Sequence, residues 1–523
     1  MTAKRLGWVV AASLLLAAEA SAAHADSAAA AETFVAEPCW FRVSRARNAV
    51  CGKLTVPERR IRPTGRQLRL PVVIFKHAET VAAREPIVFL TGGPGQPSYI
   101  ADQSQIDGWW EWINYLPQGH DLIVFDQRGT GRAEPRLDCP KLADPRIWAG
   151  AAESIDDVGT TPTALQDAAA ACRDHLVGQG HTLSAFNSFE SAADVAALKR
   201  ALNLRHWSLF GVSYGTRLAL TVMRYYPEGV RAAILDSVFP PDAFDVVSLP
   251  QQFDRALTLL FDQCLAQPRC AEAYPEVAGR FKAALRRLES DPVTLNTKKT
   301  DHWPALFVRV DNTMFLDLVF AALRDAELVE ILPELITQTG NGDYGPLTDL
   351  TQEIYMDESY LDFADGMSLS VTCHDEFPFE NSAAIKAAAA RYPLLAGWLM
   401  QHWSLTLCPL WPAGRAAPIE NTPVTSDIPT LLLTGAYDPI TPPTLAHRSA
   451  EALPFAHVVT FPGTGHGVFD SHRCAEEVVK AFLESPHRRP SPDCLSRLRP
   501  PDFDVNSQPT KWRPRHRPPP HWR

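Results

Sequence analysis

The chain has 523 residues, 46% of them hydrophobic and 21% charged, which suits a packed globular protein and excludes wholesale disorder, collagen and coiled coil. Its formal charge of −10 argues against a nucleic-acid binder, which would turn a basic face to phosphate. The charge is uneven, because from Ser485 to the end nine Lys/Arg stand against three Asp/Glu, a local balance of +6.

In chain order, Lys4 and Arg5 precede an apolar stretch, Leu6 to Ala18, that is too short to span a bilayer. Small-residue sites follow at Ala20-Ser21-Ala22 and Ala23-His24-Ala25. This is the pattern of a secretory signal, so residues 1–25 are expected to be removed and the mature chain to be periplasmic or secreted, with no stable membrane insertion. Export gives the ten cysteines a meaning: an even number in an oxidising compartment predicts disulfides. Nearest-neighbour pairing gives 39–51, 139–172, 264–270, 373–408 and 474–494. There is no CxxC pair or His-rich cluster of the kind that holds zinc.

Over residues 26–240, from Leu54 onward, short β-branched runs alternate with helical patterns. LRLPVVIF, PIVFLTGG, DLIVFDQRG, RHWSLFG and VRAAILDSV read as strands; ESAADVAALKRALNL and TRLALTVMRYYP read as helices. That rhythm predicts an α/β fold, a mostly parallel sheet with helices on both faces. Over residues 241–425 the pattern becomes largely helical, with Pro breaks, and reads as one large insertion. Alternation returns over 426–485 in IPTLLLTGAYDP, AHVVTFPGTGHG and CAEEVVKAFLES. Residues 486–523 form a Pro/Arg-rich tail, expected to be disordered after Cys494 because it lacks apolar periodicity.

The chemistry gathers at four places. Gly211-Val212-Ser213-Tyr214-Gly215 joins a strand to a helix, the context of a nucleophile held on a tight, strained turn. Ser213 is the expected nucleophile, and its hydroxyl needs a base. His466, in PGTGHGVF, and Asp438, in GAYDPITP, follow late strands in the order Ser…Asp…His. Asp236, after the strand AAILD, is the rival acid; its preferred reading is a carboxylate bonded to loop amides. Thr91-Gly92-Gly93-Pro94-Gly95 follows the strand IVFL and brings backbone N–H groups close to a reacting carbonyl. Gly93 and Tyr214 are the expected oxyanion donors, with Gly92 as the alternative to Gly93. Asp126-Gln127-Arg128-Gly129-Thr130-Gly131 reads as scaffold.

Together GGPG (Gly92–Gly95), DQRGTG (Asp126–Gly131), GVSYGT (Gly211–Thr216), GAYDPITP (Gly435–Pro442) and GTGHG (Gly463–Gly467) resemble the α/β-hydrolase fold, and within it the proline iminopeptidase and tripeptidyl aminopeptidase family of serine exopeptidases. Single-domain iminopeptidases carry a His before GGPG where this chain has Thr91; its long insertion and cysteines look more like the exported tripeptidyl-aminopeptidase-like branch. The resemblance implies an exported serine aminopeptidase acting on peptides with a free N-terminus, without metal or organic cofactor. An esterase or lipase with the same triad is the alternative, and a non-catalytic binding protein a third reading. The resemblance also implies cap carboxylates that hold the substrate amine. Cys373-His374-Asp375-Glu376 resembles that motif, which makes Asp375 and Glu376 the candidates, either one of them the holder.

Overall fold

A computed structural model describes residues 32–505, apart from 45–46, 62–64, 78–80, 160–162 and 244. The expected signal segment, 1–25, and the tail beyond 505 lie outside the described residues.

Nine strands form one sheet in the order β1-β2-β3-β5-β4-β6-β7-β10-β11. They are β1 (Thr33–Glu37), β2 (Ala49–Pro57), β3 (Gln67–Phe75), β4 (Ile87–Leu90), β5 (Leu122–Phe125), β6 (Trp207–Val212), β7 (Val230–Asp236), β10 (Thr430–Gly435) and β11 (Ala456–Phe461). β1, β2, β3 and β5 pair antiparallel; from β5 through β4 to β11 every pair is parallel. Each residue of β4, β5, β6 and β10 is buried, which is why these strands read as continuous apolar runs rather than alternations. β1 and β2 both precede the first strand read from the sequence; β1 is largely exposed, so it carries no apolar run to find.

The order reverses at β4, because the chain places β5 on one side of it and β6 on the other. Such a switch point opens a crevice at the carboxyl ends of the strands. Leu90 and Gly211 are register partners there, so the glycine loop after β4 and the turn after β6 emerge side by side.

β7 and β10 are also neighbours, with Asp236 opposite Leu433, although residues 237–429 run between them. That segment is mainly helical, includes Asp245–Ala266, Val277–Ser290, Asn312–Ala322, Ala326–Asn341 and Asp365–Asp375, and adds a hairpin of β8 (Val293–Asn296) and β9 (Phe307–Val310). It has a core of its own, around Phe253, Leu260, Phe281, Phe315 and Leu332. Full burial of each such side chain is worth about 1.5–3 kcal/mol. Not every proline of the segment breaks a helix: Pro250 and Pro333 lie inside theirs.

All five disulfides join nearest neighbours in sequence: 39–51, 139–172, 264–270, 373–408 and 474–494. One expectation needs correction. The chain is not disordered directly after Cys494: residues 501–504 bond to the insertion, through Gln267 Nε2 to Pro501 O at 2.8 Å and Asp504 N to Glu330 O at 3.0 Å, while Phe503 is buried. A single aromatic anchor has no periodicity, so the pattern could not reveal it.

Candidate active site

β6 ends at Val212, and Ser213 follows with φ +55° and ψ −123°, the first turn of the helix Tyr214–Tyr225 directly after it. A positive φ on a non-glycine residue costs of order 1–3 kcal/mol and persists only where the surroundings impose it. Here Ser213 N–H donates to Asp236 O at 2.9 Å, and Ser213 O accepts the Thr216 N–H at 2.9 Å and its hydroxyl at 2.7 Å. The flanking glycines are obligatory: a Cβ on Gly211 would stand 2.3 Å from Gly215 O, and one on Gly215 only 1.9 Å from Leu90 O.

Asp438 and His466 leave the carboxyl ends of the adjacent strands β10 and β11. His466 Nδ1 lies 2.7 Å from Asp438 Oδ2. Asp438 is fully buried and also accepts the Ile440 N–H, the Thr441 N–H (both 2.9 Å) and the Thr441 hydroxyl (2.5 Å). Burial alone would raise its pKa, but the His466 charge and these donors outweigh burial and hold the carboxyl at about 2. It is an anion at any physiological pH. Thr441 Oγ1 is also 3.0 Å from His466 Nδ1, so this hydroxyl steadies both partners. The sequence reading missed Thr441, whose only signal was its place three residues after the acid.

The rival acid does something else. Asp236 accepts the N–H groups of Val468 (3.0 Å) and Phe469 (2.8 Å), and the Gly467 N–H bonds Ser237 Oγ at 2.8 Å. These bonds pin the loop that carries His466. The DQRGTG turn braces in the same manner: Asp126 accepts the Ser98 and Arg132 N–H groups, and buried Arg128 pairs with Asp194 at 2.7 Å.

The loop after β4 closes onto the serine. Thr91 O accepts Gln127 Nε2 at 2.9 Å, and a Cβ on Gly92 would lie 3.1 Å from Ser213 Cβ. Gly92, Gly93, Ser213 and His466 all line one cavity of about 290 Å³. The insertion contributes Arg324, Phe363, Asp365, Ser368 and Trp403 to its walls, and Tyr99, Leu142, Trp148 and Ile440 come from outside it.

Asp375 and Glu376 are not among the residues lining that cavity. Asp375 ends the helix Asp365–Asp375 and faces the positive N-terminus of the helix Ser188–Ala201, where it accepts the Ser188 N–H at 2.9 Å. Its other oxygen lies 2.6 Å from His374 Nδ1. Burial pushes the Asp375 pKa up, but the His374 partner outweighs it and the net shift is downward. Both acids are buried, 2% and 6% exposed. The acid that reaches the cavity is Asp365, at the opposite end of the same helix, about 15 Å away at 1.5 Å per residue. Burial lifts its carboxyl to about 7.

Residues 85–263 match a family described as alpha/beta hydrolase fold, and residues 395–494 one described as TAP-like protein. Serine protease Hip1 of Mycobacterium tuberculosis is 24% identical over 83% of this chain and 85% of its own. Tripeptidyl aminopeptidase of Streptomyces lividans is 28% identical over 36% of this chain and 35% of its own. Proline iminopeptidase of Xylella fastidiosa is 22% identical over 48% of this chain and 72% of its own.

Proposed function

From the premise that this chain is a serine hydrolase of the α/β-hydrolase fold with a TAP-like segment near its carboxyl end, we propose that it is an exported aminopeptidase that cleaves near the free N-terminus of short peptides. The observation that carries the reading is a single cavity walled by Ser213, His466 and a half-buried insertion carboxyl, Asp365. A neutral ester gains nothing from that carboxyl, whereas a peptide ammonium needs an anionic partner in a partly dry site. The named relatives, a serine protease and two aminopeptidases, support the same class.

In this mechanism His466 takes the Ser213 proton while Ser213 Oγ attacks the scissile carbonyl. Asp438, 2.7 Å from Nδ1, fixes the tautomer that leaves Nε2 free and stabilises the imidazolium that forms. The backbone N–H groups of Gly93 and Tyr214 meet the oxyanion, each worth about 3 kcal/mol of barrier. His466 then protonates the leaving amine, and water repeats the sequence to release the acyl group. Asp365 replaces Asp375 and Glu376 as the proposed holder of the substrate amine. Five disulfides and the signal-like N-terminus support export.

A panel of amino-acyl, dipeptidyl and tripeptidyl chromogenic amides, each free and N-acetylated, beside simple esters, tests the reading. Free peptides are expected to be the good substrates. Equal rates on free and acetylated peptides, or turnover of esters only, would replace the aminopeptidase with an endopeptidase or an esterase.

A further inference from the structure

A second charged residue of the insertion lines the cavity. Arg324 lies in the short connection between the helices Asn312–Ala322 and Ala326–Asn341, and it lines the same cavity as Ser213 and His466. Its main chain is committed: Arg324 O accepts the His466 N–H at 2.7 Å. The approach is so close that a Cβ on Gly465 would stand 2.3 Å from Arg324 O. Its side chain is not committed. Arg324 Nε is buried with no hydrogen-bond partner, and no ion pair among the described residues includes Arg324. Arg255 also leaves its Nε without a partner, but its two terminal nitrogens are taken, by Ala436 O at 2.6 Å and Asp438 O at 2.7 Å.

A guanidinium keeps its charge at any physiological pH and presents a fixed fork of donors that matches a carboxylate. A donor without an acceptor is unfavourable when desolvated, and a guanidinium whose terminal nitrogens bond no acceptor among the described residues is suited to one brought by a ligand in the cavity this residue lines. Position then says which end of the ligand. Arg324 is bonded to the backbone of His466, the residue that hands a proton to the leaving group. Asp365 stands beside the glycine loop instead: the Ala364 N–H donates to Gly95 O at 2.9 Å. The main chains of these two residues are therefore anchored on different sides of the cavity, Asp365 next to the residue that bonds the GGPG loop and Arg324 on the histidine itself.

We propose that Arg324 binds a carboxylate on the leaving-group side of the substrate, so that the site selects short peptides carrying an acid just beyond the scissile bond. The acid is the C-terminal carboxylate of a very short peptide or an Asp/Glu side chain in the released segment. The inference rests on the peptidase reading, and it adds a specificity that the catalytic residues alone do not supply. A cavity of about 290 Å³ sits at the small end of ligand sites, which fits a ligand gripped at both ends.

The test is calorimetric binding to the full-length protein carrying Ser213→Ala, which holds peptides without turning them over. The probes are trialanine, trialanine amide, Ala-Ala-Asp amide and acetyl-trialanine. Charge-assisted hydrogen bonds of this kind correspond to roughly 10- to 100-fold in affinity. Trialanine, Ala-Ala-Asp amide or both are expected to bind that much more tightly than trialanine amide; which of them does so identifies the source of the acid. Adding Arg324→Gln should abolish the preference, and Arg324→Lys should keep part of it. Equal binding of all three free-amine probes, a preference that survives Arg324→Gln, or no binding at all overturns the proposal. The comparison of probes on the Arg324 protein needs no variant at that position, so a misfolded Arg324→Gln chain does not rescue the idea. Acetyl-trialanine separates the two readings: if it binds as well as trialanine while the acid-over-amide preference persists, Arg324 keeps its role and the aminopeptidase assignment falls.

Discussion

Ser213 owes its position to strain that its neighbours impose, with φ +55° and glycines at 211 and 215 that no larger residue can replace without a clash. Ser213→Ala removes only an oxygen, so the fold should be unchanged while turnover falls by about 10⁶. A purified variant that retains a tenth of the activity would mean that another group is the nucleophile. The two buried aspartates make a sharper comparison. Asp438 bonds the histidine ring, whereas Asp236 bonds the backbone of the histidine's loop. Asp438→Asn exchanges an acceptor for a donor toward Nδ1, forces the wrong tautomer and should cost about 10⁴ in kcat. Asp236→Asn keeps an oxygen for one of its two amides and should cost at most about 10² by loosening the loop. Kinetics on both folded variants settle the ranking, and the reverse order would move the catalytic acid to β7. These residues were legible in sequence because each sits in a short motif directly after a strand. Thr441 was not, because nothing local distinguishes a hydroxyl that bonds two partners from one that bonds none.

At the level of elements, the alternation of apolar runs and helical stretches located the parallel strands well, since strands buried on both faces spell their burial in consecutive residues. It located the edge poorly: β1 exposes most of its residues and has no such signature. The insertion was legible as helical, but not its manner of closing on the sheet. That closure runs through Arg324 and Gly465. Gly435, Gly465 and Arg324 O are stacked so tightly that a Cβ on Gly435 would lie 1.9 Å from Gly465 O. Gly465→Ala should therefore push the histidine loop away from the insertion without disturbing the sheet core. We expect a folded protein, native by circular dichroism, with kcat/KM lowered by about 10², the usual result of a displacement near 1 Å in a reacting group. Gly215→Ala is the contrasting case, since its Cβ would press on Leu90 O within the core and should destabilise by about 1–3 kcal/mol or more. If Gly465→Ala keeps full activity, the insertion and the histidine loop are not coupled as described.

Across the whole molecule, the charges that face the cavity come from places the motifs do not mark. Asp365 and Arg324 lie in the insertion, far in sequence from Ser213, and only tertiary packing brings them to it. The sequence instead drew attention to Asp375 and Glu376, because a Cys followed by acids resembles a known cap motif, but they stand at one end of a helix whose other end, at Asp365, lines the cavity. This has a global consequence that can be measured. Burial raises the Asp365 carboxyl to about 7, against an unfolded value near 3.8. Between those two values the folded chain holds a proton that the unfolded chain has released. Asp365 therefore takes stability away as pH rises through that window, and the loss is complete once pH passes 7. Asp365→Asn removes the effect, so its melting temperature relative to the parent should climb from pH 5 to pH 7 and stay level from 7 to 9. Binding should run in the opposite sense. An ammonium needs the ionised carboxylate, and it remains charged itself below its own pKa of ~8. Trialanine should thus bind the Ser213→Ala protein most tightly between about pH 7 and 8, weaken on the acid side as Asp365 protonates, and weaken on the alkaline side as the amine loses its proton. The acid limb should vanish with Asp365→Asn, together with most of the affinity. A stability difference that does not vary with pH would mean that Asp365 titrates as an ordinary surface acid, and the amine would then have to be held elsewhere.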